Sequence, residues 1–182
     1  MNISEQELDI KKELRASMNG ILSARMREAG MPFKLIFGVE LPRLQNIASE
    51  FCQDESLAER LWQQNIRETR LLAIMLMPVE SFTPAQASVW LDTLQTAEEA
   101  QVLAMMLLQK TKDAKDICLA WLKGRKPLPC ICACLCLRHL LSRGIKLSEK
   151  EQAEVKASTA RMLPEANLHL RKAILVLAET ME

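Results

Sequence analysis

The segment SFTPAQASVWLDTLQTAEEAQVLAMMLLQK, residues 81–110, decides the fold class. Its apolar residues recur with helical rather than strand spacing. Thr83 is followed three residues later by Gln86, and Thr96 is followed at the same spacing by Glu99. This is the spacing of a capping box, in which two side chains satisfy the free backbone amides of a helix start. The segment therefore predicts two short consecutive helices.

The same pattern continues in both directions from this segment. Helices are predicted at about 4–27 and 42–53, followed by pairs at about 55–64 and 67–78, 84–94 and 97–110, 113–124 and 128–142, and 149–162 and 165–180. Further capping boxes are predicted at Ser56/Glu59 and Ser148/Glu151. The composition agrees, with 29 Leu but only 5 Gly, 7 Pro and no Tyr.

The second helix of each pair is apolar on several faces, which indicates packing between neighbouring helices. Paired helices at a period of about 30 residues predict an all-α, HEAT-like helical-repeat solenoid, an α–α superhelix. The chain is interpreted as one HEAT-like repeat domain over residues 1–182, and a compact helical bundle is the alternative.

Charge and hydropathy exclude some classes of protein. The 24 Lys and Arg residues against 23 Asp and Glu give a net charge of +1, which removes any whole-molecule argument for nucleic-acid binding. The longest apolar run, Cys130 to Leu137, is too short to span a membrane, and the N-terminus has no apolar signal segment. We therefore expect a cytoplasmic protein without membrane association, in which the six cysteines stay reduced.

Two stretches resemble a known family. They are Phe37-Gly38-Val39-Glu40-Leu41-Pro42-Arg43-Leu44, and Leu61-Trp62 followed by Glu68-Thr69-Arg70-Leu71-Leu72-Ala73. Their order is similar to that in the DNA alkylation repair family, HEAT-like repeat proteins that include alkylpurine DNA glycosylases. The residues themselves are typical of turns, helix starts and packing positions.

The resemblance implies a particular excision chemistry. The glycosylases of the family remove purines alkylated at N3 or N7, which carry positive charge and leave without a strong general acid. The sugar cation that develops is stabilised by a carboxylate and by aromatic faces. The family supplies an Asp and Trp residues on the concave face, and an Arg for the DNA backbone.

The resemblance implies an Asp and a Trp early in the second helix of the pair at about 84–94 and 97–110, an Arg at the start of the second helix of the next pair, and a last Trp in the terminal helix. The chain departs from the family pattern at all of these positions. No Trp or Asp lies between Thr93 and Lys112, no Arg lies between Lys126 and Arg138, and no Trp follows Trp121. The candidates for a substitute catalytic carboxylate are Glu98 and Glu99. A capping role for Glu99 and a helix-dipole role for Glu98 are the favoured interpretations. The sequence thus favours a non-catalytic protein.

A local basic segment provides the candidate DNA-binding surface. Six basic residues and no acidic one lie in residues 117–148, and two more basic residues follow in the last helix. The candidate DNA-binding residues are Lys123, Arg125, Lys126, Arg138, Arg143, Lys146, Arg171 and Lys172. Scattered surface charge is the alternative interpretation.

The cysteines do not predict a metal site. Cys130, Cys132, Cys134 and Cys136 alternate along a predicted helix, so they cannot converge on one ion, and no Cys-x-x-Cys motif is present. We expect core packing, with no metal and no cofactor.

The sequence favours a diverged family member that binds duplex or damaged DNA without catalysis. A protein-interaction scaffold with a protein partner is the first alternative. A working alkylpurine DNA glycosylase with a relocated active site is the second.

Overall fold

The computed structural model describes residues 2–182, which contain eleven α-helices. These helices are α1 (Ile3–Ala16), α2 (Gly20–Glu28), α3 (Leu41–Ser49), α4 (Glu55–Trp62), α5 (Arg67–Leu76), α6 (Pro84–Asp92), α7 (Ala97–Met106), α8 (Ala114–Leu122), α9 (Pro127–Ser142), α10 (Glu149–Met162) and α11 (Leu168–Thr180). Within residues 2–182 the only β-type pairing is an isolated parallel bridge between Leu35 and Ile66. None of these helices is both long enough and apolar enough to cross a bilayer.

The helix predicted at about 4–27 is wrong in one respect, because the structure has two helices there. The first ends at Ala16, and Asn19 is extended and begins the second. The Asn19 side chain accepts a hydrogen bond from the amide of Leu22 at 3.1 Å. An Asn cap followed by Gly20 is a helix-start signal that the apolar periodicity obscured.

The predicted caps of three later helices are present. Ser148 Oγ accepts from the amide of Glu151, and the Glu151 carboxylate accepts from the amide of Ser148, so the box at α10 is complete. The side chains of Thr83 and Thr96 each accept from the third following amide, at the starts of α6 and α7. These interactions fix where the helices begin.

The box predicted at Ser56 and Glu59 is wrong. Helix α4 begins earlier, because the side chain of Asp54 accepts from the amide of Leu57 at 2.8 Å. Asp caps a helix at least as well as Ser, and Asp54 takes the cap position two residues before Ser56.

The described chain forms two compact units, residues 2–81 with α1–α5 and residues 82–182 with α6–α11. The expectation of a single domain over residues 1–182 stays a prediction.

A buried carboxylate organises the first unit. Glu68, fully buried at the start of α5, accepts hydrogen bonds from the amides of Phe37, Gly38 and Val39 at 3.0, 2.9 and 3.3 Å. The buried Arg67 guanidinium donates to Glu68 Oε1 at 2.8 Å and to the Val39 carbonyl at 2.9 Å. The loop before α3 is thereby tied to α5 across about 30 residues of chain.

Gly38 lets this loop approach α2 closely. Its φ is +75°, and a Cβ atom at this position would lie 2.3 Å from the Asn19 carbonyl oxygen and 2.6 Å from the Ser23 amide nitrogen. Only glycine fits both constraints. The stretches that carry the family resemblance therefore have a structural role in the first unit.

Helix α9 is the centre of the second unit and packs against α7, α8 and α11. Its four cysteines are all fully buried, which agrees with the packing prediction although they point in different directions around the helix. Burial raises the pKa of Cys134 to about 12 and raises the pKa of Cys132 and Cys130 as well. These thiols stay protonated and pack as small apolar side chains.

Candidate nucleic-acid interface

A cleft of about 300 Å³ lies between the N-terminal halves of α7, α9 and α11 in the second unit. Its lining consists of Ala97, Glu98, Gln101, Ile131, Leu135, His169, Lys172, Ala173 and Val176. These helix segments are the ones in which the resemblance implies excision residues. The cleft is therefore the place where excision chemistry, if retained, is expected.

The two candidate carboxylates lie in different environments. Glu98 is half-buried and lines the cleft. Glu99 is fully buried, and its Oε2 atom accepts a hydrogen bond from the backbone amide of Gln95 at 2.7 Å. Its own amide donates to Thr96 Oγ1 at 3.1 Å. The position of Glu99 at the helix cap favours its structural interpretation and leaves Glu98 as the carboxylate in contact with the cleft.

None of the three tryptophans is among the residues that line the cleft. Trp90 is fully buried and makes an edge-to-face contact with Phe82, their ring centroids 5.3 Å apart. Trp121 lies on α8, and Trp62, in the first unit, stacks beneath the Arg70 guanidinium at 3.8 Å. Among the described residues the cleft therefore offers no indole face for a developing sugar cation.

The structure divides the eight predicted DNA-binding residues into two groups. One group lies in the turn between α8 and α9 and in the first turns of α11, and we call it the basic end: Lys123, Arg125, Lys126, Arg171 and Lys172. Arg125 and Leu170 line one pocket, which places the start of α11 beside the turn before α9. Lys172 belongs to both the basic end and the cleft.

Arg138, Arg143 and Lys146 lie toward the opposite end of α9. At a rise of about 1.5 Å per residue, Arg143 lies roughly 25 Å along the helix axis from the basic end. Arg143 also donates to the Gln109 carbonyl oxygen at 3.3 Å. These three residues therefore belong to a separate surface.

Acidic side chains from neighbouring helices reduce the charge of the basic end. Lys126 pairs with Asp92, and Lys123 pairs with Glu154 at 3.5 Å. Arg125, Arg171 and Lys172 are exposed and form no ion pair within residues 2–182. These three carry the cationic character of the surface.

Arg161 supports the basic end, a role that no local sequence pattern predicts. Its Nη2 atom donates to the carbonyl oxygens of Leu122, Lys123 and Gly124 at 3.2, 3.1 and 3.1 Å. A cation at the C-terminal end of a helix is favourable, and here it fixes the turn that follows α8. These hydrogen bonds join residues nearly 40 positions apart, so no local motif reveals them.

Arg161→Met is expected to lower the free energy of unfolding by about 1 kcal/mol, since three carbonyl groups lose a charged but solvent-exposed donor. Lys156→Met, an exposed position on the same helix, is the matched control. Urea unfolding measures both variants. Equal stability of the two would contradict this role for Arg161.

The histidines and other possible ligands do not form a metal centre. No group of three or more His, Cys, Asp or Glu side chains in the described part of the chain is placed to hold an ion. His139 is half-buried, and burial together with the neighbouring Arg138 lowers its pKa. His169 is exposed at the cleft.

Comparison with known proteins identifies the family. The chain superimposes on a solved structure described as "a new family of proteins related to the HEAT-like repeat DNA glycosylases with affinity for branched DNA structures", with a TM-score of 0.81, 17% identity, and coverage of 95% of this chain and 74% of that one. This similarity confirms the all-α, HEAT-like repeat fold. No curated protein matches. The model of the family "DNA alkylation repair enzyme" matches residues 10–174, and the chain accordingly belongs to that family.

Proposed function

We propose that this chain binds DNA through the basic end of its second unit and does not excise bases. The observation that carries the proposal is the exposure of Arg125, Arg171 and Lys172, the last of which lines a cleft without an indole face. Phosphate binding needs cations that are not already neutralised, and these three residues meet that condition.

The chemistry of the cleft supports a role in binding rather than excision. Its lining contains one carboxylate, Glu98, but no indole face that could share the charge of a developing sugar cation. Lys172, in turn, is well placed to contact a phosphate at the rim.

Excision through Glu98 is the second candidate function, because Glu98 alone among the two predicted carboxylates lines the cleft. In this alternative Glu98 stabilises the sugar cation and His169 replaces the missing aromatic face. It predicts activity that depends on the ionised Glu98 carboxylate.

The similar solved protein is described as having affinity for branched DNA structures. We extend the proposal to branched DNA for this chain. A surface that binds phosphates without reading bases suits such a substrate, since branches differ from duplex in backbone geometry rather than in sequence.

The test combines binding and excision on one substrate. Duplex DNA methylated with dimethyl sulfate is titrated with the protein, binding is followed by fluorescence anisotropy, and free 7-methylguanine is measured by chromatography. We expect binding, with base release no faster than in the protein-free control. Release that exceeds this control and disappears in Glu98→Gln would contradict the proposal and establish the second candidate.

A further inference from the structure

The corner between α1 and α2 carries large apolar side chains that the first unit does not bury. Met18 is 60% exposed and Ile21 is 72% exposed. Ser23 is the only buried residue of α2. A surface helix ordinarily turns its apolar residues toward the core, so this arrangement requires a physical reason.

Polar contacts tie helix α2 to the loop that precedes α3. Ser23 Oγ donates to the Ile36 carbonyl oxygen at 2.7 Å, and Arg27 Nη2 donates to the same oxygen at 3.3 Å. The Asn19 amide donates to the Phe37 carbonyl oxygen at 3.0 Å. The helix is thus fixed while the apolar side chains at its N-terminal end remain in solvent.

Basic residues surround this apolar corner. Arg25 follows Ile21 by four positions on α2, a spacing that brings side chains together on a helix surface, and Arg15 lies in the last turn of α1, three positions before Met18. Arg15, Arg25, Arg27 and Lys34 are exposed and form no ion pair within residues 2–182, and Glu28 is the only acidic residue in 15–34. The surroundings therefore match a polyanion.

We propose that Met18 and Ile21 form an apolar wedge that inserts at an unstacked base step of branched DNA, while Arg15 and Arg25 contact the flanking phosphates. This inference rests on the proposed function, because it assumes that the chain binds DNA. Met and Ile are among the side chains that proteins place between base steps, and the insertion is easiest where stacking is already interrupted. A branch point provides such a step, and an intact duplex does not.

The charge of the corner favours nucleic acid over a second copy of this chain as its partner. A second copy of this chain would bring the same four cations against each other, which like-charge repulsion opposes. Nucleic acid satisfies both the apolar residues, through the faces of unstacked bases, and the cations, through phosphates.

The test compares a linear duplex with a three-armed junction of the same sequences, using wild-type protein, Met18→Gln/Ile21→Gln and the control Leu8→Gln. Leu8, also 60% exposed, lies on α1. We expect wild type and the control to prefer the junction roughly tenfold, and the double variant to lose that preference while it keeps its affinity for duplex. All positions are exposed, so the variants should fold.

Two further readouts separate the possible outcomes. A 2-aminopurine at the branch point should change its fluorescence with wild type but not with the double variant, because insertion alters its stacking. Duplex binding without junction preference would overturn the wedge and leave the proposed function standing, whereas absence of all DNA binding would overturn both. A double variant that changes only the oligomeric state in size-exclusion chromatography would identify the corner as a self-association surface and contradict the wedge.

Discussion

Replacing Glu68 with alanine is expected to lower the free energy of unfolding by about 3 to 5 kcal/mol. The change leaves three buried amides, those of Phe37, Gly38 and Val39, without an acceptor. It also removes the carboxylate that pairs with the buried Arg67 guanidinium. Urea unfolding followed by circular dichroism measures the loss.

Two further variants make this prediction robust. Glu68→Gln retains one oxygen acceptor and should lose less, about 1 to 3 kcal/mol, so it remains measurable if the alanine variant does not fold. Glu80→Ala, at an exposed position, should stay within about 0.5 kcal/mol of wild type. A Glu68→Ala variant no less stable than Glu80→Ala would contradict the role of this carboxylate in the first unit.

The second large effect is expected for DNA binding. Replacing Arg125, Arg171 and Lys172 together by Gln should weaken binding to duplex DNA. The ratio of wild-type to variant affinity at about 0.1 M salt should be roughly several hundred-fold larger than the same ratio near 1 M salt. Each lost phosphate contact removes counterion release, and the three contributions add in the logarithm of affinity. Fluorescence anisotropy with a labelled duplex measures this loss.

The matched control removes the same charge elsewhere. Lys112, Lys150 and Lys156 are exposed residues of the second unit outside the basic end. Their triple Gln variant has the same net charge as the test variant, so any effect of overall charge appears in both. Equal losses would mean that DNA responds to the net charge of the protein rather than to the basic end.

The helices could largely be predicted from the sequence because their signals are local. Thr83, Thr96 and Ser148 begin helices where the capping pattern places them. Apolar spacing continues across the boundary between α1 and α2 and predicts a single helix there, although Asn19 and Gly20 carry a cap signal. A local signal was present there and was outweighed by periodicity.

Contacts between distant parts of the chain could not be predicted in this way. Glu68 could be recognised as part of a family motif, but its three amide donors lie about 30 residues away. The segment 117–148 is free of acidic residues, yet Asp92 and Glu154 from other helices pair with two of its lysines. The sequence therefore overestimates the free charge of this region, and only the fold distinguishes the paired cations from the unpaired ones.

The dependence of DNA affinity on salt tests the proposed binding mode most directly. Wild-type protein is titrated onto a duplex between about 50 and 300 mM salt, and the logarithm of the association constant is plotted against the logarithm of salt concentration. We predict a straight line with a slope of about −3 or steeper, reduced in magnitude by about 2.7 when Arg125, Arg171 and Lys172 are neutralised. Affinity that does not change with salt, or no binding at the lowest concentration, would contradict the assignment of a phosphate-binding surface to the basic end.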